Sequence, residues 1–267
     1  MFTVSLAGHH GLPAQPSLVC YVAAHELLVV AAGYQQIKLY GEDGLELFVS
    51  CVANEATAGA STSFLQPTAN GRIVLVSSDS GVQVVSLERC NLAHRRSSHP
   101  CRQGTRLNIH TIFMPTSTSW TMCRITAVET IKSHKSAPFV FLALDDGSIQ
   151  VVQEDTCAFT TYAIQAAQLG LSGDDVAVSA MASNPSDANQ LLLAYEGAHE
   201  ASIFLWDLAK KKVLHKATVP PAHGSVQSLA WHASGKRFAA GFHDGAFGVF
   251  RTDKQQSAFF LRRRRLR

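Results

Sequence analysis

Five times along this chain, a run of small and apolar residues enters a tight turn or short loop and leaves it as a short apolar strand. The units are Leu27-Leu-Val-Val-Ala-Ala-Gly33 with Ile37-Lys-Leu-Tyr40, and Ile73-Val-Leu-Val-Ser-Ser78 with Val82-Gln-Val-Val85. Next come Phe139-Val-Phe-Leu-Ala-Leu144 with Ile149-Gln-Val-Val152, and Gln190-Leu-Leu-Leu-Ala-Tyr195 with Ser202-Ile-Phe-Leu-Trp-Asp207. The last is Arg237-Phe-Ala-Ala-Gly241 with Phe247-Gly-Val-Phe250. Three of the connections carry Asp79-Ser-Gly81, Asp145-Asp-Gly147 and His243-Asp-Gly245. Asp-Gly and Ser-Gly between β-rich runs mark hairpins, because glycine tolerates the positive φ these turns require.

A hairpin cannot bury both faces of its sheet alone. Units recurring along a chain solve that by stacking, and radial stacking leaves only short protected edges. Flanking strands are readable as well, in Ser61-Thr-Ser-Phe-Leu65 before the second unit and Val226-Gln-Ser-Leu-Ala-Trp231 before the fifth. The predicted fold is all-β, a WD-repeat β-propeller of about five blades, incomplete relative to a seven-bladed ring. Blades are expected at 1–41, 42–88, 106–153, 176–213 and 223–251 within a domain 1–254. An exposed basic loop is expected at 90–105 and a basic tail at 255–267. The one helix-like stretch runs from Tyr162 to Leu171.

Trp206-Asp207 closes the fourth unit, His223-Gly224 opens the fifth, and Asp244 sits in its turn. WD repeats join such residues in a hydrogen-bond network that locks strands together, since buried donors are costly to leave unpaired. Trp206, Asp207, His223 and Asp244 are therefore read as structural, and Asp79, Gly81, Asp146, Gly147 and Gly245 as turn positions. No residue is assigned a catalytic role.

Other chemistry finds little support. No nucleotide-binding glycine motif or nucleophile elbow occurs. The adjacent His9 and His10 point to opposite faces of a strand and chelate poorly. Cys90, His94, His99 and Cys101 depart from zinc-site spacing, so neither metal nor cofactor is expected. Asp174-Asp175 and Asp145-Asp146 read as turns, and Lys210-Lys-Lys212 as a solvated turn between blades. Cys20, Cys51, Cys90, Cys101, Cys123 and Cys157 include no C-x-x-C pair, which suits reduced thiols in the cytosol.

Net charge is +3, and five of the basic groups lie in Arg262–Arg267. The remainder is slightly acidic, without the basic face a nucleic-acid binder would carry. That tail reads as a membrane-surface patch, an import-like signal, or an abrupt change that is not part of the folded design. No secretory leader or membrane-length apolar run is evident.

The segments His10-Gly-Leu-Pro13, Gln15-Pro16, Ile37-Lys-Leu-Tyr-Gly41 and Gly44-Leu-Glu46 resemble the opening of the lethal giant larvae and tomosyn family. Gly147-Ser-Ile-Gln-Val-Val152, Leu191–Gly197, Phe204-Leu-Trp-Asp-Leu208, Ser228-Leu-Ala-Trp-His232, Gly235-Lys-Arg-Phe238 and His243-Asp-Gly245 continue the likeness in order, over roughly Phe2 to Asp253. The resemblance implies part of the first of two tandem propellers, in a scaffold that binds syntaxin-type SNARE proteins and regulates vesicle docking, exocytosis or cell polarity. It implies protein partners, a cytoplasmic location reaching the plasma membrane peripherally, and no enzyme activity. The basic loop at 90–105 is an insertion relative to the family pattern.

Overall fold

A computed structural model describes residues 18–31, 36–41, 46–50, 61–78, 81–90, 106–113, 123–131, 139–171, 176–197, 200–252 and 260–261. They form five four-stranded antiparallel sheets, each an up-and-down meander in sequence order. Sheet one holds β1 (Val19–Val22), β2 (Leu27–Ala31), β3 (Gln36–Tyr40) and β4 (Glu46–Ser50). Sheet two holds β5 (Thr62–Pro67), β6 (Ile73–Ser77), β7 (Val82–Cys90) and β8 (Arg106–Phe113). Sheet three holds β9 (Ile125–Thr130), β10 (Phe139–Leu144), β11 (Ile149–Gln153) and β12 (Ala158–Ile164). Sheet four holds β13 (Ala177–Ser183), β14 (Gln190–Glu196), β15 (Ala201–Asp207) and β16 (Lys212–Val219). Sheet five holds β17 (Val226–Trp231), β18 (Arg237–Phe242), β19 (Phe247–Arg251) and β20 (Phe260–Leu261).

The first strands of successive sheets, β1, β5, β9, β13 and β17, lie side by side, so the sheets fan out as blades from a common axis. Four apolar cores fill the wedges between them. Leu27, Ile37 and Leu39 meet Leu65, Ile73 and Leu75 between sheets one and two. Val74, Val76 and Val84 meet Val140, Leu142 and Val152 between sheets two and three. Phe141, Ile149 and Ile164 meet Leu193, Phe204 and Trp206 between sheets three and four. Leu192, Ile203 and Leu205 meet Phe238, Phe242 and Phe250 between sheets four and five.

This stacking explains two sequence patterns. Sheets two to four are covered on both faces, and their middle strands Ile73–Ser77, Phe139–Leu144 and Ala201–Asp207 are mostly apolar and buried along nearly their whole length. Among the described residues, sheets one and five pack against another sheet on one face, and β1, β18 and β19 alternate between buried and more exposed positions.

The structure differs from the sequence reading in three places. β8 pairs with β7 from Gln83↔Phe113 to Cys90↔Arg106, so residues 106–113 complete the second blade and the third begins at β9. Cross-strand pairing across a long intervening segment leaves no local trace in the sequence. Tyr162 to Leu171 is not one helix. Tyr162 and Ile164 belong to β12, where Ile149 pairs with Ile164, and only Ala166–Leu169 forms a short 3₁₀ turn, ended by Gly170 at φ 72°. Finally, Phe260 and Leu261, read as tail, pair with Val249 and Gly248 as an outermost strand. Residues 91–105, 253–259 and 262–267 lie outside the described residues.

Candidate functional site

Two ends of the fan can be told apart. The turns joining second to third strands, and the connections that lead into each first strand, gather at what we call the upper end. The remaining turns define the lower end.

At the upper end two turns repeat the same chemistry. Asp146 accepts the Ser148 amide at 2.8 Å and Asp244 accepts the Ala246 amide at 2.9 Å. Gly147 and Gly245 follow, both at φ 77°, a left-handed conformation that glycine adopts without a side-chain clash. In sheet five, His223 Nδ1 lies 2.8 Å from Asp244 Oδ2, and its ring stacks on Phe242 at 5.5 Å. The counterpart connection in sheet two is held by Ser77, whose amide donates to the Gly81 carbonyl at 2.9 Å. Asp79 lies outside the described residues.

The Trp206-Asp207 pair faces the lower end. Buried Trp206 donates its indole N–H to the Tyr162 hydroxyl at 2.9 Å, and that hydroxyl donates to the Leu208 carbonyl at 3.1 Å. Burial pushes the Tyr162 phenol above its ordinary pKa, against the opposing pull of the Trp206 bond. Asp207 accepts the Lys210 amide at 2.8 Å, and this bond holds its carboxyl below the usual range. Lys210 also pairs with Asp207 at 3.3 Å. The structure therefore joins His223, ahead of β17, to Asp244 in the β18–β19 turn, and places Trp206 and Asp207 in a separate cluster at the opposite end of the fan.

Polar links between neighbouring first strands were not legible in the sequence. Thr130 donates to the Pro67 carbonyl at 2.9 Å, linking sheet three to sheet two. The Ser183 amide donates to buried Glu129 at 3.0 Å, and the Ser183 hydroxyl reaches the same oxygen at 2.8 Å, linking sheet four to sheet three. Trp231 donates to the Ala182 carbonyl at 3.0 Å, linking sheet five to sheet four. Further out, Thr68 donates to Glu154 at 2.9 Å, and Arg72 pairs with Glu154 at 3.6 Å and with Asp155. Burial nevertheless raises the Glu154 carboxyl above the ordinary range, outweighing Thr68 and Arg72.

One concavity opens on the axis at the upper end. Its volume is about 550 Å³, and four sheets line it. Ser63, Thr126, Ser179 and Gln227 come from the first strands; Ser78 and Glu196 come from the ends of second strands; Arg124 precedes β9. Hydroxyls and an amide line it alongside apolar Phe64, Ile125 and Val226, a mixture suited to an extended peptide. The cavity lining carries one carboxylate, Glu196, and one cation, Arg124; Asp145, Asp146, Glu200 and Asp244 lie in the described upper connections of sheets three to five. No sequence motif announces these residues, because each lies near a strand end, distant along the chain from the others.

Among the described residues, no group of three or more His, Cys, Asp and Glu is placed to hold a metal ion. No helix among them is long and apolar enough to cross a membrane.

Comparison with known proteins gives a fold and a sequence likeness. No family model matches the chain. It is 22% identical over 256 residues to the human LLGL scribble cell polarity complex component 2, covering 92% of this chain and 23% of that protein. It is 20% identical over 263 residues to the Lethal(2) giant larvae protein of Drosophila pseudoobscura pseudoobscura, covering 95% of this chain and 20% of that one. The chain thus spans about a fifth to a quarter of the length of these relatives. Among solved structures, the Dos1 propeller superposes with a TM-score of 0.64 at 12% identity, over 97% of this chain and 63% of that one. Chaetomium thermophilum Raptor gives 0.64 at 14% identity, over 95% of this chain and 21% of that one. The blades, their order and these alignments agree: this chain is a β-propeller similar in sequence, over 92–95% of its length, to lethal giant larvae proteins.

Proposed function

We propose that this propeller is a protein-binding scaffold of the polarity and vesicle-docking kind, which takes a basic segment of a partner protein into its upper axial funnel. The observation that carries the reading is the hydroxyl-lined cavity with Glu196 in its lining, at the end of the fan where Asp145, Asp146, Glu200 and Asp244 also lie. Acidic groups at that end attract lysine- and arginine-bearing segments and repel acidic ones. No catalytic group is needed for this role. His223 and Asp244 serve the architecture of their turn, as do Trp206 and Asp207 at the lower end. Likeness to the lethal giant larvae proteins supports a syntaxin-type SNARE as the partner, with the scaffold in the cytoplasm and in peripheral contact with the plasma membrane.

Binding of the purified chain to the cytoplasmic region of a syntaxin-type SNARE, measured by fluorescence anisotropy across a salt series, tests this. Expected is saturable binding that weakens with salt and falls about tenfold or more in Glu196→Lys. Binding indifferent to both salt and Glu196→Lys overturns the funnel as the site.

A second reading, a general scaffold in another multiprotein complex, draws on the close superposition of Dos1 and Raptor at very low identity. Affinity capture of the endogenous protein with mass spectrometry separates the two. Syntaxin-type proteins in the capture favour the first reading; a coherent set without them favours the second.

A further inference from the structure

The four residues that reach the axis from the first strands share one backbone feature. In β5 the register runs Thr62↔Ser77 and then Phe64↔Val76, so Ser63 is skipped. In β9 Ile125 pairs with Leu144 and Ala127 with Ala143, which leaves Thr126 over. Ser179 is the extra residue between Val178↔Tyr195 and Ala180↔Ala194 in β13, and Gln227 the one between Val226↔Phe242 and Ser228↔Gly241 in β17. Each is a β-bulge near the upper end of its strand, and each bulged residue lines the funnel. A bulge re-aims a side chain out of the strand's alternation, here towards the axis.

Bending a strand makes no demand on side-chain chemistry, yet all four bulged residues are polar. Each adjoins an apolar residue of the same lining, Phe64, Ile125, Val178 and Val226 in turn. Their hydrogen-bonding capacity is underused. The Thr126 hydroxyl oxygen is buried and meets no hydrogen-bond partner among the described residues. The Ser179 hydroxyl donates to the Ala194 carbonyl at 3.4 Å, long for a bond between oxygens. Gln227 donates to the Ser225 hydroxyl at 2.6 Å, which uses one of the donors of its amide. A buried hydroxyl without a partner costs stability, and such local costs concentrate where function needs the group.

We propose that Ser63, Thr126, Ser179 and Gln227 form a recognition ring that grips the main chain of an extended peptide segment in the funnel. The inference rests on the funnel reading above and adds what the ring selects. An extended segment presents an N–H and a C=O at nearly every residue, and hydroxyl and amide side chains can both donate to and accept from them. A helix has already spent these groups on its own turns. The ring therefore reads conformation while Glu196 reads charge, and the segment's sequence is only loosely specified.

Fluorescence anisotropy on the full chain tests this with a short labelled peptide of alternating lysine and serine. Its main-chain N-methylated form and a counterpart with glutamine for lysine are measured beside it. The parent peptide should bind. N-methylation removes main-chain donors, keeps the charges, and should weaken binding about tenfold or more. Thr126→Val should weaken binding likewise, yet unfold at the same or a higher urea concentration than wild type, because valine keeps the shape and removes the unpaired hydroxyl. Ser179→Ala is the second variant should Thr126→Val fail to fold, as judged by circular dichroism. Binding that responds to salt and to Glu196→Lys, but not to Thr126→Val, Ser179→Ala or N-methylation, overturns the ring and leaves the acidic attraction standing. Lysine and glutamine peptides that bind alike, both weakened by Thr126→Val, support the ring and overturn the acidic attraction. Binding of neither peptide overturns the ring.

Discussion

The Tyr195 hydroxyl, buried in sheet four, donates to the carbonyl of Gly147 in the upper turn of sheet three at 3.0 Å. A Cβ on Gly147 would lie 2.5 Å from the Val176 carbonyl oxygen, so this turn is pressed against the start of sheet four. Glycine answers both the positive φ and the close approach. Tyr195→Phe keeps the edge-on contact with Phe204, whose ring centre lies 5.9 Å away, and removes only the hydrogen bond. A loss of about 1–2 kcal/mol is expected in urea unfolding, the cost of leaving a buried carbonyl unpaired. Gly147→Ala should cost more, about 2 kcal/mol or above, because strain and collision act together.

Glu154 gives stability a pH slope of definite sign. Burial raises its carboxyl pKa in the folded state, so the native protein holds this proton more tightly than the unfolded chain does. Its contribution to stability therefore falls as pH rises from the ordinary carboxylate range through the raised pKa, and is level above that. Glu154→Gln keeps an acceptor for Thr68 and removes the titration. Urea unfolding between pH 4 and pH 8 should show a flatter profile for the variant. An unchanged slope would assign the pH dependence to other groups.

Asp207 acts with the opposite sign. The Lys210 amide holds its carboxyl below the ordinary range. The stability it adds is present above the unfolded pKa and is lost as pH falls towards the lowered one. Asp207→Ala should cost about 1 kcal/mol at neutral pH through loss of the turn bond and should reduce the sensitivity to acid. Urea midpoints at pH 7 and pH 3 are the measurement.

His223 is expected to matter for stability. Removing it loses the Asp244 contact and the stack on Phe242. Because the pair is partly open to solvent, His223→Ala should cost only about 1 kcal/mol. Binding of a basic peptide in the funnel should remain, since Glu196 in the funnel lining is untouched. Calorimetric Tm and peptide affinity measured on the same sample distinguish the two effects.

Cys20 and Cys157 are buried, and burial pushes each thiol to about 11. Little thiolate exists near neutrality, and both side chains are buried. Iodoacetamide labelling followed by peptide mass spectrometry should leave both unmodified in the native protein and modify both in urea. Labelling of Cys157 in the native state would mean that sheet three opens locally.

What the sequence made legible was local chemistry. The Asp-Gly turns at Asp146–Gly147 and Asp244–Gly245 occur where their residue types require, because each turn's conformation is set by its own residues. The apolar strands were equally plain. Two misreadings share a cause. The run after Tyr162 has helix-compatible alanines and glutamines, but pairing of Ile164 with Ile149 claims its first part for the sheet. Residues 106–113 look like the start of a unit, yet their partner is β7. In both cases a non-local partner overrode local propensity. The funnel residues were illegible for the same reason: Ser63, Arg124, Ser179 and Gln227 come together only because four first strands converge on one axis.

The bonds from Thr130 to Pro67, Ser183 to Glu129 and Trp231 to Ala182 each run from one blade to the blade before it. Such a molecule melts as a row of coupled units, each stabilised by its nearest neighbours. Among the described residues, sheets one and five carry such a link on one side, and they should fray first and exchange their amide hydrogens fastest. Sheet three, flanked twice on either side, should be the last to open. Destabilisation would therefore travel along the chain as a front, and a single weakened link such as Ser183→Ala would divide one cooperative transition into two.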